Sequence, residues 1–356
     1  MLKPDFFVPS TAENLIMGRL DPRKAPVLRV PDGAVVQMET ISSVKRERWQ
    51  TARDFFQEEG VDLTGTEAGR LCDSLDRLRD IDPEYDPKKW GVHKITGPVF
   101  IEGAQPGDVL EVRLLDTQLT LPYGNAMTFP QVSALPDWIE TDSYHVISYD
   151  QQRMWGRFLD MRIPLHPFFG ILGVAPHTPA HSSAPGVFGG NLDCRHLVKG
   201  TSLFLPVQLP GALFYAGDPH AAQGNGEVSM CAIETAALTG VFQFVVHRGP
   251  SLQSPFIETP THFITLGLSR DLDEAMRHAL RQAISFLQVR KGMSVNDAMI
   301  FCSIAVDFEV TQVVNGVLGV HAMLDKRILN LTDAPFWNSD GSVYYRDDLP
   351  LSVPRW

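Results

Sequence analysis

The sequence is poor in cysteine, and its cysteines are scattered. Four occur among 356 residues, and no two of them form a Cys-x-x-Cys pair. They are Cys72, Cys194, Cys231 and Cys302. A zinc site built from thiolates is therefore not expected, and reduced, buried thiols are the favoured interpretation. A nucleophilic role for Cys194 or Cys231 stays open as a minor alternative, because both lie near polar motifs.

Long hydrophobic runs and an excess of positive charge are also lacking. No stretch approaches the roughly 18 consecutive apolar residues of a transmembrane helix, and the amino-terminal segment lacks the apolar run of a signal peptide. The net charge is −11, whereas binding to a phosphate backbone needs a basic surface. These features predict a cytoplasmic protein with no nucleic-acid partner and no membrane association.

The motifs of the common nucleophilic hydrolases are missing as well. The sequence has no Gly-x-Ser-x-Gly elbow. No Ser-Ser-Lys arrangement of the amidase-signature type stands out, and Cys194 and Cys231 occur in contexts unlike that of the cysteine in nitrilase-like amidases. A mechanism based on a serine or cysteine nucleophile is therefore not favoured.

The pattern that is present indicates a globular protein rich in strands. We interpret Val27–Thr40 as a hairpin around the turn signal Pro31-Asp32-Gly33, and Val241–Val246 as the clearest single strand. Residues 121–190 are rich in proline, glycine and aromatic residues and show little periodicity. We expect this segment to be largely irregular.

Helical periodicity occurs in two parts of the chain. Residues 44–80 show it, most strongly after Ala68, and are predicted to be a helical insertion. Later, Asp271 begins a capping box, Gly292 ends that helix, and Ser294 begins the next one. The predicted fold is mainly β (α+β), with β-sandwich-like sheets, a helical C-terminal section and a helical insertion near the N-terminus.

The stretch Gly217–Glu227 concentrates chemically useful groups. It contains two carboxylates, one imidazole, two side-chain amides and three glycines. Pro219 and the glycines predict a loop rather than a strand. Carboxylates and imidazole bind divalent metals such as zinc, and they transfer protons near neutral pH. The alternative is an ordinary polar surface loop.

Several blocks of the sequence match the pattern of one protein family. Val92–Asp108 reads VHKITGPVFIEGAQPGD, Ile163–Pro176 begins IPLHPFFG and ends GVAP, Gly189–Asp193 reads GGNLD, and Pro210–Glu227 reads PGALFYAGDPHAAQGNGE. In number and order these blocks resemble the acetamidase/formamidase family of amide hydrolases, over roughly residues 27–330. Asn225 stands where the family pattern usually has Asp, and the insertion at 44–80 is longer than usual.

The resemblance implies one acetamidase/formamidase-like catalytic domain over residues 1–356. Two packed sub-domains are an option within it. The first is an N-terminal β part at about 1–122 with the insertion 44–80, and the second is a C-terminal β part at about 123–334 with helices in 271–313. Residues 335–356 are expected to form a tail.

The resemblance also implies the chemistry, which is metal-dependent hydrolysis of the C–N bond of short aliphatic amides such as formamide or acetamide. The products are a carboxylate and ammonia. The implied cofactor is a divalent metal, with zinc favoured and an additional calcium ion as an option. The implied partners are a small amide substrate and, by general precedent, further copies of the chain in a homodimer or larger homo-oligomer.

Seven polar residues of the matching blocks are assigned to the site by this resemblance. The assignments are His93, Asp193 and His220 as metal ligands, Glu227 and Asp218 as catalytic groups, and Asn191 and Gln223 as amide-binding side chains. Asp218 also belongs to the pool of possible metal ligands, and Glu227 is the candidate general base. Taken alone, His93 is equally compatible with a satisfied structural histidine, and Asp193 with a turn cap.

Two other functions remain open from the sequence. One is a β-sandwich that binds a small polar ligand without turnover. The other is a hydrolase that acts on a larger amide.

Overall fold

The structure is a computed structural model that describes residues 3–42, 53–54, 57, 60, 62–82, 84–248 and 252–331. Strands account for 42% and helices for 15%, which confirms the predicted mainly β class. In these ranges, no helix has both the length and the apolar character needed to span a bilayer. Most of residues 44–61 of the predicted helical insertion, and the tail 335–356, lie outside the described residues.

The strands are short and are distributed along the whole described chain. In chain order they are β1 Phe6–Val8, β2 Leu15–Met17, β3 Arg19–Leu20, β4 Leu28–Val30, β5 Val35–Ile41, β6 Lys94–Ile101, β7 Val109–Leu119, β8 Tyr123–Thr128, β9 Ser143–Asp150, β10 Trp155–Phe158, β11 Met161–Pro164, β12 Phe168–Val174, β13 Ala180–His181, β14 Gly189–Asn191, β15 Thr201–Pro206, β16 Phe214–Ala222, β17 Ile233–Thr235, β18 Ala237–His247, β19 Phe256–Glu258, β20 His262–Ser269, β21 Asp307–Gln312 and β22 Leu318–Asp325.

The helices lie where the sequence predicted them. They are α1 Glu67–Ile81, α2 Leu272–Lys291 and α3 Val295–Ala305. The Asp271 side chain accepts the backbone N–H of Glu274 at the start of α2, and Gly292 ends this helix with a φ of 63°. Ser294 caps α3 in the same way. These local hydrogen bonds explain why the boundaries of both helices are predictable.

Two large sheets pack on each other. Sheet A has nine strands, in the order β1-β5-β18-β7-β15-β19-β20-β22-β21. Sheet B has eleven, with the path β11-β10-β9-β8-β17-β16-β12-β14 and with β6 pairing to β16, β2 and β4. In the core, Phe214 of sheet B lies 5.6 and 5.0 Å from Phe242 and Phe244 of sheet A, measured between ring centroids. The predicted sandwich-like arrangement is confirmed.

The hairpin predicted over Val27–Thr40 is wrong, although both of its strands form. Strand β4 pairs in parallel with β6 in sheet B, whereas β5 pairs with β18 in sheet A. The turn at Pro31-Asp32-Gly33 therefore connects the two sheets. A turn signal between two apolar runs indicates a reversal of the chain, but it does not specify the partner of each strand.

Residues 121–190 are more regular than predicted, because they contain β8 to β13. Strands β9, β10 and β11 form a meander with many exposed residues. In β9 only Ile147 and Tyr149 are buried. An exposed strand needs no continuous alternation of apolar residues, so its sequence carries little periodicity.

Strands from both sides of residue 122 alternate within the sheets. Strand β7 lies between β18 and β15, and β6 lies beside β16. Helix α2 packs on sheet A, where Ala275 and Ala279 contact Val320. The division of the chain into two sub-domains near residue 122 stays a prediction.

Glu111 on β7 is a buried carboxylate surrounded by donors. It is 3% exposed and lies 2.6 Å from Arg113 Nε, 2.7 Å from Ser202 Oγ and 2.8 Å from His247 Nε2. Burial would raise its pKa, but His247 and Arg113 outweigh burial and lower the pKa from 4.5 to about 2. A lowered pKa means that the ionised group stabilises the fold above pH 4.5, and that this contribution is lost as the pH falls toward 2.

We expect Glu111→Gln to lower the free energy of unfolding by about 3 kcal/mol at neutral pH, because buried Arg113 loses its charge partner. Urea unfolding of wild type and variant measures this difference. The difference should shrink below pH 4.5, since protonation removes the same charge from the wild type. Glu102→Gln, at an exposed position, serves as the control. A difference that is constant from neutral pH down to acid unfolding would contradict the prediction.

Candidate active site

Gly217–Ala222, which was predicted to be a loop, belongs to strand β16, so that prediction is wrong. One edge of β16 pairs with β12, where Pro219 lies opposite Phe169. The other edge pairs first with β6 and then with β17. Pro219 lies between these two partners, at a position where the ladder needs no N–H donor. The remainder of the stretch, up to Glu227, is a loop as predicted.

Three acidic residues reach the site from backbone in the left-handed region. Asp193, Asp218 and Glu227 have φ angles of 46°, 54° and 45°. Residues other than glycine adopt such angles rarely, at a cost on the order of 1–3 kcal/mol each, and only where the surroundings enforce them. Strain of this kind concentrates at functional sites.

His220 lies between two groups of carboxylates. Its Nε2 is 3.4 Å from Asp218 Oδ2 and 3.2 Å from Glu234 Oε1, and its Nδ1 is 3.8 Å from Asp193 Oδ1. The ligand atoms of His220, Asp193 and Glu227 lie within 4.8 Å of one another, and so do those of His220, Asp218 and Glu234. The structure therefore brings together Asp193, Asp218, His220 and Glu227, four of the residues assigned to the site.

His93 precedes β6 and lies at the edge of this group. Its Nδ1 is 2.7 Å from Ser182 Oγ, and its Nε2 is 3.8 Å from Asp218 Oδ2. The hydroxyl thus orients the ring so that Nε2 faces the carboxylate. His93 joins the site through Asp218.

Asp193 is held by side-chain amides from three segments. Asn191 Nδ2 and Asn315 Nδ2 donate to Asp193 Oδ2 at 2.8 and 2.6 Å, and Gln223 Nε2 donates to its backbone oxygen at 2.8 Å. Asn191 Oδ1 and Gln223 Oε1 are buried and have no hydrogen-bond partner among the described residues. The two amides predicted to bind substrate therefore position Asp193 and still present acceptor oxygens to the site.

Gly170 on β12 provides the space in which these groups meet. A Cβ at this position would lie 2.3 Å from Asp193 Oδ1, 2.5 Å from Asp218 Oδ2 and 2.9 Å from His220 Cε1. Ordinary Cβ contacts are never this short, so glycine is required by space. The missing side chain leaves a cradle between two carboxylates and an imidazole.

Three residues of the site were not identified from the sequence. Glu234 is brought to His220 by the pairing of β17 with β16. Asn315 comes from the turn between β21 and β22. Gly170 belongs to the site because it leaves space for the side chains of Asp193, Asp218 and His220. Gly170 lies in a block that matched the family pattern, which is a signal that was available. Glu234 and Asn315 depend on pairings between distant segments, and a single sequence does not reveal these.

The pKa values of the buried acidic groups and of His220 are shifted in different directions. Burial would raise the pKa of Asp218, but His220 outweighs burial and lowers the pKa to about 2. Burial and the charge of Asp218 raise the pKa of Asp193 to about 6. Burial and Asp193 raise the pKa of Glu227 well above 4.5. Burial would lower the pKa of His220, but Glu234 and Asp218 raise it well above 6.5. The crowded carboxylates thus favour a positive charge in the site, supplied by protons or by a bound cation.

The residues of the site fit a divalent cation. Asp193 Oδ1, His220 Nδ1 and Glu227 Oε2 are buried without a hydrogen-bond partner in the described ranges. Leaving such atoms unpaired is costly, and a cation would satisfy several of them at once. Carboxylate oxygen and imidazole nitrogen are ligands that suit zinc.

A cavity of about 510 Å³ opens beside Glu227. Much of its wall is apolar, and the apolar residues include Ala126, Ile147, Phe158, Ile163, Ala222 and Ile233. Gln223 and Arg195 contribute polar groups to the wall. A small polar compound would therefore reach Glu227 through a largely apolar chamber.

Cys231 also lines this cavity, but its surroundings do not favour a nucleophilic role. Its thiol donates to the carbonyl of Ala232 at 2.8 Å and accepts the N–H of Met127 at 3.3 Å. Burial raises the pKa of Cys231 well above 9, and burial raises the pKa of Cys194 to about 12. Both thiols stay protonated, whereas thiol nucleophiles react as thiolates.

Comparison with known proteins identifies relatives of this architecture. A formamidase from Methylophilus methylotrophus is 24% identical in an alignment 305 residues long, which covers 66% of this chain and 72% of the relative. An acetamidase from Mycolicibacterium smegmatis is 27% identical in an alignment 228 residues long, which covers 46% of this chain and 54% of the relative. The chain thus spans only about half the length of some of the curated relatives it matches.

Solved structures show the same fold. The acetamidase from Bacillus halodurans superposes with a TM-score of 0.74 at 27% identity, over 92% of this chain and 100% of that one. A γ-lactamase from Delftia acidovorans shares the fold more loosely, with a TM-score of 0.54 at 20% identity over 95% of each chain.

A sequence model of one family matches residues 43–185 and 178–320, which together exceed half of the chain. Its description agrees with the resemblance seen in the motifs and with the relatives above. The chain belongs to the acetamidase/formamidase family, a family of amide hydrolases.

Proposed function

We propose that this protein hydrolyses the C–N bond of short aliphatic amides, giving a carboxylate and ammonia, and that it does so with a divalent metal. The observation that carries the proposal is the convergence of Asp193, Asp218 and His220 on the cradle at Gly170, next to a cavity that contains Glu227. Family membership supports the choice of amides as substrates.

In this proposal the metal is held by residues that surround the cradle. Asp193 and His220 are ligands, His93 approaches through Nε2, and Asp218 lies between the two histidines. Zinc is the favoured ion, because the donors are carboxylate oxygens and imidazole nitrogens. When bound, the ion supplies Lewis acidity, which polarises a carbonyl and makes water more acidic.

Glu227 moves the protons in this proposal. Its Oε2 is buried without a partner among the described residues, and Glu227 itself lines the cavity. It accepts a proton as water adds to the amide carbon, and it passes the proton to the nitrogen as the C–N bond breaks. Asn191 Oδ1 and Gln223 Oε1 accept hydrogen bonds from the amide NH₂ and thereby orient the substrate.

The size and apolar wall of the cavity favour a second candidate, which is a hydrolase of larger amides. Formamide and acetamide occupy only a small part of 510 Å³. Ammonia release from formamide, acetamide and benzamide, by protein stripped of metal and then reloaded with zinc, compares the two candidates. Release from none of these amides by folded, zinc-loaded protein would favour a binding protein without turnover.

Asn315 offers a test of how Asp193 is held. We expect Asn315→Ala to weaken zinc binding and lower turnover by about tenfold to a hundredfold, because Asp193 Oδ2 loses its closest donor. Zinc affinity is measured by competition with a chelator, and turnover by ammonia release. Asn296→Ala, at an exposed position on α3, is the matched control. Unchanged zinc affinity in Asn315→Ala would show that this hydrogen bond does not position the carboxylate.

Cytoplasmic location and assembly into a homodimer or larger homo-oligomer are also proposals. Sedimentation of the purified protein measures the assembly state. A monomer at micromolar concentration would remove that part of the proposal.

A further inference from the structure

A second group of metal-binding side chains lies outside the site described above. Glu309 on β21 and His321 on β22 are directly paired in the antiparallel ladder. His196, in the loop after β14, completes the group. Glu309 Oε2 is 3.4 Å from His321 Nε2 and 4.0 Å from His196 Nε2. All three ligand atoms lie within 4.8 Å of one another.

The two imidazoles have unpaired nitrogens that point into this group. His321 is fully buried, and its Nδ1 is 2.8 Å from Thr311 Oγ1, so the ring orientation is fixed. The Nε2 atoms of His321 and His196 are both buried and have no hydrogen-bond partner among the described residues. A buried polar atom without a partner is costly. A metal ligand whose other nitrogen is held by a hydrogen bond is a common arrangement.

We propose that His196 Nε2, Glu309 Oε2 and His321 Nε2 form a second divalent-cation site, and that it binds zinc. Tetrahedral ligands at about 2.0 Å from zinc lie about 3.3 Å from each other. The 3.4 Å between Glu309 Oε2 and His321 Nε2 is close to this value, and His196 Nε2, at 4.0 Å from Glu309 Oε2, has to move closer by less than 1 Å. Two imidazole ligands favour zinc over calcium, which takes oxygen ligands in larger number.

Asn225 connects this second site to the loop that carries Glu227. Its side-chain amide donates to Glu309 Oε2, and the adjacent Gly226 exchanges backbone hydrogen bonds with Thr311 and Val313. An aspartate at position 225 would set a second carboxylate against Glu309, whereas asparagine donates to it. The second lone pair of Glu309 Oε2 stays available to an ion, and an ion held by Glu309 would strengthen the connection of the Glu227 loop to β21 and β22.

Zinc stoichiometry tests the proposal without reference to turnover. The protein is stripped with a chelator, dialysed against buffered zinc and analysed by plasma mass spectrometry. We expect the wild type to bind one more zinc ion per chain than His196→Gln or Glu309→Gln, which both alter partly exposed side chains and should fold. His177→Gln changes an exposed histidine elsewhere and should bind as the wild type does. Asp193→Asn, which alters the first site, should keep the ion of the second.

Thermal unfolding gives a second readout. Added zinc should raise the melting temperature of Asp193→Asn but not that of the double variant Asp193→Asn with His196→Gln. Equal zinc content in wild type, His196→Gln and Glu309→Gln would overturn the proposal. Absence of amide hydrolysis in the wild type would overturn the proposed function and would leave these zinc counts to decide the second site on their own.

Discussion

Replacing Glu227 with glutamine should lower amide hydrolysis by about a hundredfold or more while the zinc content of the protein stays unchanged. Glutamine has nearly the same shape but cannot accept a proton at neutral pH. The Glu227 side chain is 7% exposed and lies in the cavity wall, and its carboxylate lies near Asp193 and His220, which places it to take the proton there. Ammonia release under saturating amide measures the loss, and metal analysis runs in parallel.

The control for this experiment is Glu140→Gln, an identical exchange at an exposed position. Two results would contradict the assigned role. If turnover stays within a few-fold of wild type, Glu227 is not the base. If zinc is lost together with turnover, Glu227 is a metal ligand, as its position near Asp193 and His220 also permits.

The parts of the fold that are decided by residues close together in the chain were predictable from the sequence. The start of α2 follows from the hydrogen bond between Asp271 and Glu274, and its end follows from Gly292. Strand β16 was missed because Pro219 is incompatible with most strands, and only its place between two successive partners makes it acceptable. The partners of β4 and β5 were missed for a related reason, since strand pairing is decided by contacts between distant segments.

The residues of the candidate site also divide into those with a local sequence signal and those that only the fold brings into place. Asp193, Asp218, His220 and Glu227 were predicted because they lie in recognisable blocks, and the structure brings them together. The roles of Asn191 and Gln223 could not be read from their type alone, since both hold Asp193 through one end of the amide. Glu234 and Asn315, which enter from other segments, lie in none of the recognisable blocks.

The exchange Gly170→Ala adds one methyl group to the centre of the site and should strongly lower both turnover and zinc binding. The backbone of Gly170 is not in the left-handed region, so alanine is compatible with the strand. Its methyl group would meet Asp193 Oδ1 and Asp218 Oδ2 at 2.3 and 2.5 Å, and both carboxylates would have to move. A displacement of about 1 Å at reacting groups costs about a hundredfold in rate.

We therefore expect Gly170→Ala to lose about a hundredfold in turnover and to bind zinc more weakly, while its unfolding free energy falls by only about 1–3 kcal/mol, the usual cost of overpacking. Ammonia release, chelator competition and urea unfolding measure these three quantities. The comparison separates a structural glycine from one that shapes the site, because a purely structural role would lower stability and leave zinc affinity intact. Full activity in the variant would mean that the carboxylates do not meet at Gly170 in the working protein.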